Sequence, residues 1–397
     1  MLLANPQKLK NHKQLNQGQT SGQQGQLNQK GQPQVLINDD RQINEFAGVS
    51  FSLYKRSQVK KSLVESMTKG LIEESNYWAA ELVCCGCFLD IWEIIMEFLG
   101  RNINTANPKL PVIIEKCFQN FKEIALGDFL TDQLEMRNSA RVRKIVAEVI
   151  SILCISRKKS KIEYVKIDKD NDFDVLKLSS RLKASSAEYG QKVLKNEDPT
   201  EVHVAVNELC YHLHKDTKNA LMAQYWIEWL LEFDKLCRKK KERCQCIRRD
   251  FAPQDDDSGK DIIFLVWDAI LTEAKNRPQK VLMTILSSLL SLFKMRFTIG
   301  VKKRRRHLIY FAVNLLCEPL DLSIDPLQCQ TSLKTILQNL DVIYAQVKQG
   351  EVSSAVVQEA RAKIEEQIKA KKPKSKKEQD AEHKLDILST MGMDPTL

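Results

Sequence analysis

The residues best suited to chemistry are three cysteines and two histidines near the middle of the chain. Cys237 ends an apolar segment, Cys244 and Cys246 form a C-x-C pair, and His212 and His214 form an H-x-H pair. A structural zinc ion takes about four nitrogen or sulfur ligands in a tetrahedron, commonly from two close pairs. The spacing matches no common zinc finger, so we treat the three cysteines as weak metal candidates and expect reduced thiols with no metal or cofactor.

Three basic runs form the second candidate chemistry, and one of them is Arg157–Lys161. Such runs attract phosphate backbones or anionic lipid headgroups through charge and counterion release. A solvated rim, a patch that pairs with an acidic protein surface, and a nuclear-import signal at Lys302–Arg306 are the alternatives. The residues that we expect to make contacts are Arg238, Lys239, Lys240, Lys241, Arg248, Arg249, Lys302, Lys303, Arg304, Arg305 and Arg306.

The motifs of common enzyme classes do not occur in the sequence. It has no G-x-S-x-G elbow, no G-x-x-x-x-G-K-[ST] loop and no G-x-G-x-x-G after a strand. Its paired carboxylates are typical of charges on helix surfaces. We therefore expect no enzymatic activity and no small-molecule substrate.

Composition indicates a folded, mainly helical chain. Of 397 residues, 43% are apolar, while 61 basic and 51 acidic residues give a formal charge of +10. Both signs are abundant, so the position of the clusters matters more than the total. With only 14 Gly and 11 Pro, the chain lacks the many turns that an all-β sandwich needs.

The eleven cysteines are odd in number and scattered, and several fall in apolar helical stripes. Met1–Asp40 is polar and Gln-rich, without the apolar core of a signal peptide. We therefore expect a reducing compartment, in which most cysteines act as small buried hydrophobes. The longest apolar stretch, Val281–Phe293, falls well short of the ~20 residues of a membrane span.

Two tryptophan-centred segments, Tyr77–Gly100 and Tyr225–Cys237, place large apolar residues at helical spacing. Segments this rich in Trp, Phe, Ile and Leu must be buried in a core or against a partner. We expect Cys84, Cys85 and Cys87 inside the first helix, where adjacent side chains point about 100° apart and form no ligand pair. Further helices are expected at Lys55–Glu74, Val112–Ala125, Asp132–Arg157, Asp261–Lys275, Gln279–Lys294, Arg304–Cys317, Cys329–Val347 and Val352–Ala370.

The fold class that follows is all-α, a multi-helix, bundle-like body with one exception. Lys161–Asp168 alternates apolar and polar residues, which predicts a small strand or hairpin arm. We divide the chain into an extended or disordered Gln-rich arm (1–45), an N-terminal helical domain (46–180), a C-terminal helical domain (181–370) and a charged tail (371–397).

The strings YWAAELVCCGCFLDIWEII and NPKLPVIIEKCF, within Tyr77–Glu115 and just beyond it, and YWIEWLLEFDKLCRKKKERCQCIRRDF, Tyr225–Phe251, resemble proteins encoded by nucleocytoplasmic large DNA viruses. These are the algal-virus, marseillevirus and mimivirus-like lineages, where such proteins include virion components. The resemblance covers roughly residues 60 to 345 and leaves both ends of the chain outside it.

The resemblance implies a minor capsid protein that bridges capsomers beneath an icosahedral shell. The implied partners are the major capsid protein and other minor capsid proteins, with the inner membrane and genomic DNA as further candidates. The implied location is the inner side of the shell in the virion, after assembly in the host cytoplasm. The alternative, from the basic runs, is a helical nucleic-acid-binding factor in viral replication, transcription or genome packaging.

Overall fold

The computed structural model describes residues 35–130, 132–242, 244–327 and 330–351, together with Glu359 and Ala362. These residues form a mainly α-helical structure without a β-sheet, which confirms the predicted fold class. Among them, no helix has the length and apolar character to cross a bilayer. The helices are α1 (Arg56–Lys69), α2 (Ile72–Cys84), α3 (Phe88–Phe98), α4 (Leu110–Gly127), α5 (Ala140–Ile155), α6 (Val175–Leu178), α7 (His203–Leu213), α8 (Ala220–Lys239), α9 (Asp256–Gly259), α10 (Ile262–Lys275), α11 (Lys280–Lys294), α12 (Arg306–Cys317), α13 (Gln330–Gln338) and α14 (Leu340–Lys348).

The predicted arm up to residue 34 and the charged tail lie outside the described residues, as does the predicted helix Val352–Ala370 apart from two positions. The described part of the arm from Ile37 onward belongs to the helical body. Arg41 is fully buried between the rings of Phe46 and Phe51, at 4.7 and 4.8 Å from their centroids. Its Nε donates to Asp39 Oδ1 at 2.7 Å, so the buried charge is neutralised locally.

The predicted helix Tyr77–Gly100 is two helices, α2 and α3, because Gly86 breaks the run. Gly86 has φ +70°, in the left-handed region that favours glycine. The chain turns there, and Cys87 becomes the N-cap residue of α3. The helical periodicity continues on both sides of the turn, and for that reason the spacing of apolar residues alone predicted one uninterrupted helix.

The predicted strand at 161–168 is wrong, since that segment is extended but pairs with no strand. Two backbone amides of this segment, and that of Lys159 just before it, donate to other parts of the protein. Lys159 N–H donates to Asn102 O at 2.7 Å, Ile162 N–H to Arg101 O at 3.3 Å, and Val165 N–H to the Tyr310 hydroxyl at 3.3 Å. Arg101 and Asn102 belong to a π-helical turn, Leu99–Ile103, that follows α3. The alternating apolar residues reflect a chain that covers the body with one face.

The core is organised around α12. His307 through Val313 have at most 1% of their surface exposed. The helix packs against α3, α7, α8, α10 and α11, and α4 packs on α11. Trp92, Trp226 and Trp267 are buried within the same body. The described residues from Ile37 onward therefore form one compact unit in which helices before and after residue 180 share a core.

Gly100, in the π-helical turn, marks a close approach between α12 and the earlier part of the chain. A Cβ atom at this position would lie 2.6 Å from His307 Cδ2 and 2.9 Å from the His307 carbonyl carbon. The backbone of His307 cannot move aside to make room for a Cβ atom, whereas the end of a flexible side chain could. Only glycine fits here without moving α12.

We predict that Gly100→Ala lowers the free energy of unfolding by about 1–3 kcal/mol, the usual cost of overpacking a core. Urea unfolding followed by circular dichroism measures it. Gly127→Ala is the matched control, because a Cβ there meets nothing within 4 Å, and we expect it to be neutral or stabilising by up to about 1 kcal/mol. An equal change in the free energy of unfolding for the two variants would contradict the close approach of Gly100 to α12.

Candidate docking groove and basic clusters

The cysteines and histidines singled out from the sequence do not form one set of ligands among the described residues, although Cys244 lies near both Cys237 and Cys246. Cys244 and Cys246 are buried, and the hydrogen bond to Cys244, followed by burial, raises the pKa of the Cys246 thiol. His212 is buried on α7 beside Glu208, with Nε2 3.5 Å from the carboxylate. Within the described ranges, no group of three or more His, Cys, Asp or Glu side chains is arranged to hold a metal ion.

The basic run at 302–306 is divided between the interior and the surface. Lys302 is 5% exposed, and its Nζ lies 2.5 Å from Asp234 Oδ2 and 2.9 Å from Asp261 Oδ2. Arg238 completes the cluster, with Nε 2.9 Å from Asp234 and Nη2 3.1 Å from Asp261. We call Lys302, Asp234, Asp261 and Arg238 the four-charge cluster. Two cations offset two carboxylates, so it is neutral.

The four-charge cluster joins helices that are distant in sequence. Asp234 and Arg238 lie on α8, while Asp261 is the N-cap residue of α10 and accepts a hydrogen bond from Ile263 N–H at 3.0 Å. Burial raises the pKa of Asp234, but hydrogen bonds and charge from Arg238 and Lys302 outweigh it, and the net shift is downward. Asp234 is therefore ionised at neutral pH.

Arg249 and Arg305 are also internal. Arg249 is 2% exposed and donates from Nη1 and Nη2 to Asp198, each at 2.8 Å. Arg305 is 2% exposed and donates from Nε to Glu93 Oε1 at 3.1 Å and from Nη1 to the Phe293 carbonyl at 2.8 Å. With Lys302, these two arginines hold the fold together and offer no charge to a partner at the surface. Contacts with a partner stay predicted for the exposed members of the clusters.

We predict that Lys302→Met lowers the free energy of unfolding by about 3 kcal/mol, because it leaves a buried carboxylate without its ammonium partner. The neighbouring Lys303→Met is the matched control. Lys303 pairs with Glu232, but its side chain is 34% exposed, and such a pair contributes less than about 1 kcal/mol. Chemical denaturation of both variants measures the difference, and a similar loss for each would rule out a special role for the buried lysine.

An open groove of about 790 Å³ lies between α1, α3 and the segment 296–305. We call it the charged groove. Six cationic and four carboxylate side chains line it, together with an apolar strip. The lining residues are Lys60, Lys61, Lys161, Arg296, Arg304, Arg305, Glu65, Asp90, Glu93, Glu97, Val64, Leu89, Ile94, Val301, Thr298 and His307.

Each carboxylate of the charged groove already has a cationic partner. Asp90 accepts from Lys60 Nζ at 2.6 Å. The other pairs are Glu65 with Lys61, Glu93 with Arg304 and Arg305, and Glu97 with Arg101. Burial, with Arg101 and Arg305 nearby, lowers the pKa of His307 to about 3, so this imidazole is neutral at physiological pH. The groove therefore carries an excess of positive charge.

Lys161 and Arg296 carry that excess. Both are exposed, and no carboxylate of the described residues lies within ion-pairing distance of either one. Arg296 has φ +41°, a conformation that L-residues other than Asn and Asp rarely adopt. Backbone strain of this kind costs of order 1–3 kcal/mol and is concentrated at functional sites. Leu89, on the same groove, is 50% exposed.

A second basic surface lies at the C-terminal end of α8. Lys239, Lys240, Lys241 and Arg248 are exposed, and none forms an ion pair with any residue that the structure describes. We call these four residues the α8 tip. The sequence alone shows the members of the α8 tip as a group, because they are close together along the chain. It missed Lys161 and Arg296 as a pair, since they stand apart in the sequence and are brought to one groove only by the fold.

No family model, no curated protein and no solved structure matches the chain. The chemistry of its own residues is therefore the basis for assigning a function.

Proposed function

We propose that this chain is a non-enzymatic minor capsid protein of a large icosahedral DNA virus, which bridges capsid subunits by holding an acidic protein segment in the charged groove. The observation that carries the proposal is the unpaired charge of Lys161 and Arg296 beside an apolar strip. Because the groove carboxylates are neutralised by their own partners, a docking segment with one or two carboxylates and an apolar side chain would complement it.

The aromatic segments support a body that folds by itself and presents this groove to a partner. Trp92, Trp226 and Trp267 are each at most 1% exposed, so the large apolar residues are used in the protein's own core. The surface left for contact is charged, with separate apolar residues such as Leu89. Interfaces of this kind use a few anchors surrounded by a polar rim.

The location is tested by fractionating purified virions and comparing the shell with the genome-containing core by mass spectrometry. We expect the chain in the shell fraction, at a constant ratio to the major capsid protein. Recovery only with the core, or only outside virions, would contradict a capsid role.

We predict that Lys161→Glu combined with Arg296→Glu reduces incorporation into the shell by about tenfold or more, since reversing two unpaired charges costs over ~1.4 kcal/mol of binding free energy. Incorporation is measured by quantitative mass spectrometry. Lys192→Glu serves as the control, because Lys192 is exposed, lies outside the groove and pairs with no described carboxylate. Equal incorporation of the double variant and the control would rule out the charged groove as the docking site.

The α8 tip favours a second candidate, a nucleic-acid-binding factor in viral replication, transcription or packaging. Exposed cations without carboxylate partners can displace counterions from phosphates, whereas the buried Lys302, Arg249 and Arg305 cannot. The tip contains no aromatic residue between its cations and no known base-reading motif. Binding of this kind would therefore be independent of base sequence.

For this second candidate we predict that the purified protein binds duplex DNA at low salt. Replacing Lys239, Lys240 and Lys241 together by Ala should flatten the plot of log affinity against log salt by about 0.9 for each phosphate that is no longer neutralised. Fluorescence anisotropy at several salt concentrations measures the slope. An unchanged slope, or no binding by the unmodified protein at low salt, would remove this candidate.

A further inference from the structure

The turn between α2 and α3 brings two thiols together. Cys85 Sγ lies 3.1 Å from Cys87 Sγ, with Cys85 as the donor. Cys85 is 1% exposed, and Cys87 is half-buried with a surface open to solvent. The expectation that the cysteines of this segment diverge on one helix is wrong, because Gly86 at φ +70° ends the helical path and returns Cys87 toward Cys85.

Cys87 stands in surroundings that stabilise a thiolate. It is the N-cap residue of α3, an 11-residue helix whose N-terminal N–H groups and dipole favour negative charge. The hydrogen bond from Cys85 lowers the pKa of Cys87 most, burial opposes the shift, and the charges of Arg56 and Lys60 lower it further while Asp90 raises it. Burial, with the hydrogen bond to Cys87, raises the pKa of Cys85.

We propose that Cys85 and Cys87 form a thiol–disulfide exchange site whose substrate is a low-molecular-weight disulfide. Exchange requires one sulfur that attacks the disulfide and a second that completes the reaction. The half-buried Cys87 thiolate and the buried, protonated Cys85 thiol fit these two roles. The sulfur atoms need to approach by only about 1 Å to reach a disulfide bond length of about 2.05 Å. The site adjoins the charged groove, because Lys60 and Asp90 line that groove and also act on the Cys87 thiol, but the proposal does not depend on what the groove binds.

With glutathione disulfide the exchange takes two steps. The Cys87 thiolate attacks one sulfur, the glutathione disulfide bond breaks, and one glutathione leaves and takes a proton. Cys85 then loses its proton and attacks the Cys87 sulfur, which displaces the second glutathione and leaves a Cys85–Cys87 disulfide. The protein dithiol loses two electrons and two protons, and one disulfide becomes two thiols. Excess glutathione reverses both steps.

The test uses the full-length reduced protein, incubated with glutathione disulfide, quenched in acid, alkylated and digested for mass spectrometry. We expect one intramolecular disulfide, assigned by fragmentation to Cys85 and Cys87 and reversed by reduced glutathione. The unmodified protein suffices for this result, so it does not depend on whether a variant folds. No disulfide after incubation, or a bond that includes Cys84 instead, would overturn the proposal.

Two variants separate the roles. Cys85→Ser should trap a mixed disulfide between Cys87 and glutathione, because the resolving thiol is gone, whereas Cys87→Ser should give neither adduct nor disulfide at this turn. Cys117 is the internal control, since it is half-buried on α4 and burial raises its pKa to about 12. Alkylation of Cys87 at pH 7 should be at least about tenfold faster than that of Cys117, as one pKa unit changes the thiolate fraction tenfold. Equal rates, or an adduct on Cys85 in Cys87→Ser, would contradict the assignment.

Discussion

The burial of α12 on all sides is the constraint on which the rest of the structure depends. A polar group on a helix without a solvent face can find a hydrogen-bond partner only in other parts of the protein. Asn314 Nδ2 donates to Asn104 Oδ1 at 3.1 Å, and Gln224 Nε2 donates to Asn314 Oδ1 at 2.9 Å. Tyr310 donates to Glu228 at 3.0 Å. These bonds join α12 to α8 and to Asn104, which follows the π-helical turn.

The same constraint explains why the run KKRRR is not a uniform basic surface. The chain enters the core through the turn that precedes α12, where Lys302 and Arg305 are buried while Arg304 stays exposed. A sequence shows five adjacent charges but not their carboxylate partners. Those partners lie on α3, on α8 and at the start of α10. The positive charge available to a macromolecule is therefore much smaller than the composition implies.

The helical class could be predicted because apolar residues recur at helical spacing in nearly every segment. The segment that begins at Tyr225 lies within a single helix, α8, whereas Tyr77–Gly100 does not, because one glycine redirects the backbone without disturbing the pattern around it. At Lys161–Asp168 the alternation of apolar and polar residues predicted a strand, but it arises because one side of an extended segment packs on the body without pairing with a strand. The Cys85–Cys87 pair is formed by a change in backbone direction, and Lys161 and Arg296 are brought to one groove by contacts between residues distant in sequence. The spacing of apolar residues predicts neither feature.

The extended segment after α5 gives the protein a particular topology. It is held by carbonyls of the π-helical turn and by the Tyr310 hydroxyl, and it then reaches an exposed turn near Asn171. A protease that cut this turn would divide the polypeptide into two pieces. The pieces would remain associated, because α4 packs on α11 and α3 on α12 across the cut. Each piece would keep its own helix pairs, such as α2 with α5 and α7 with α8, and the contacts across the cut would hold the two together.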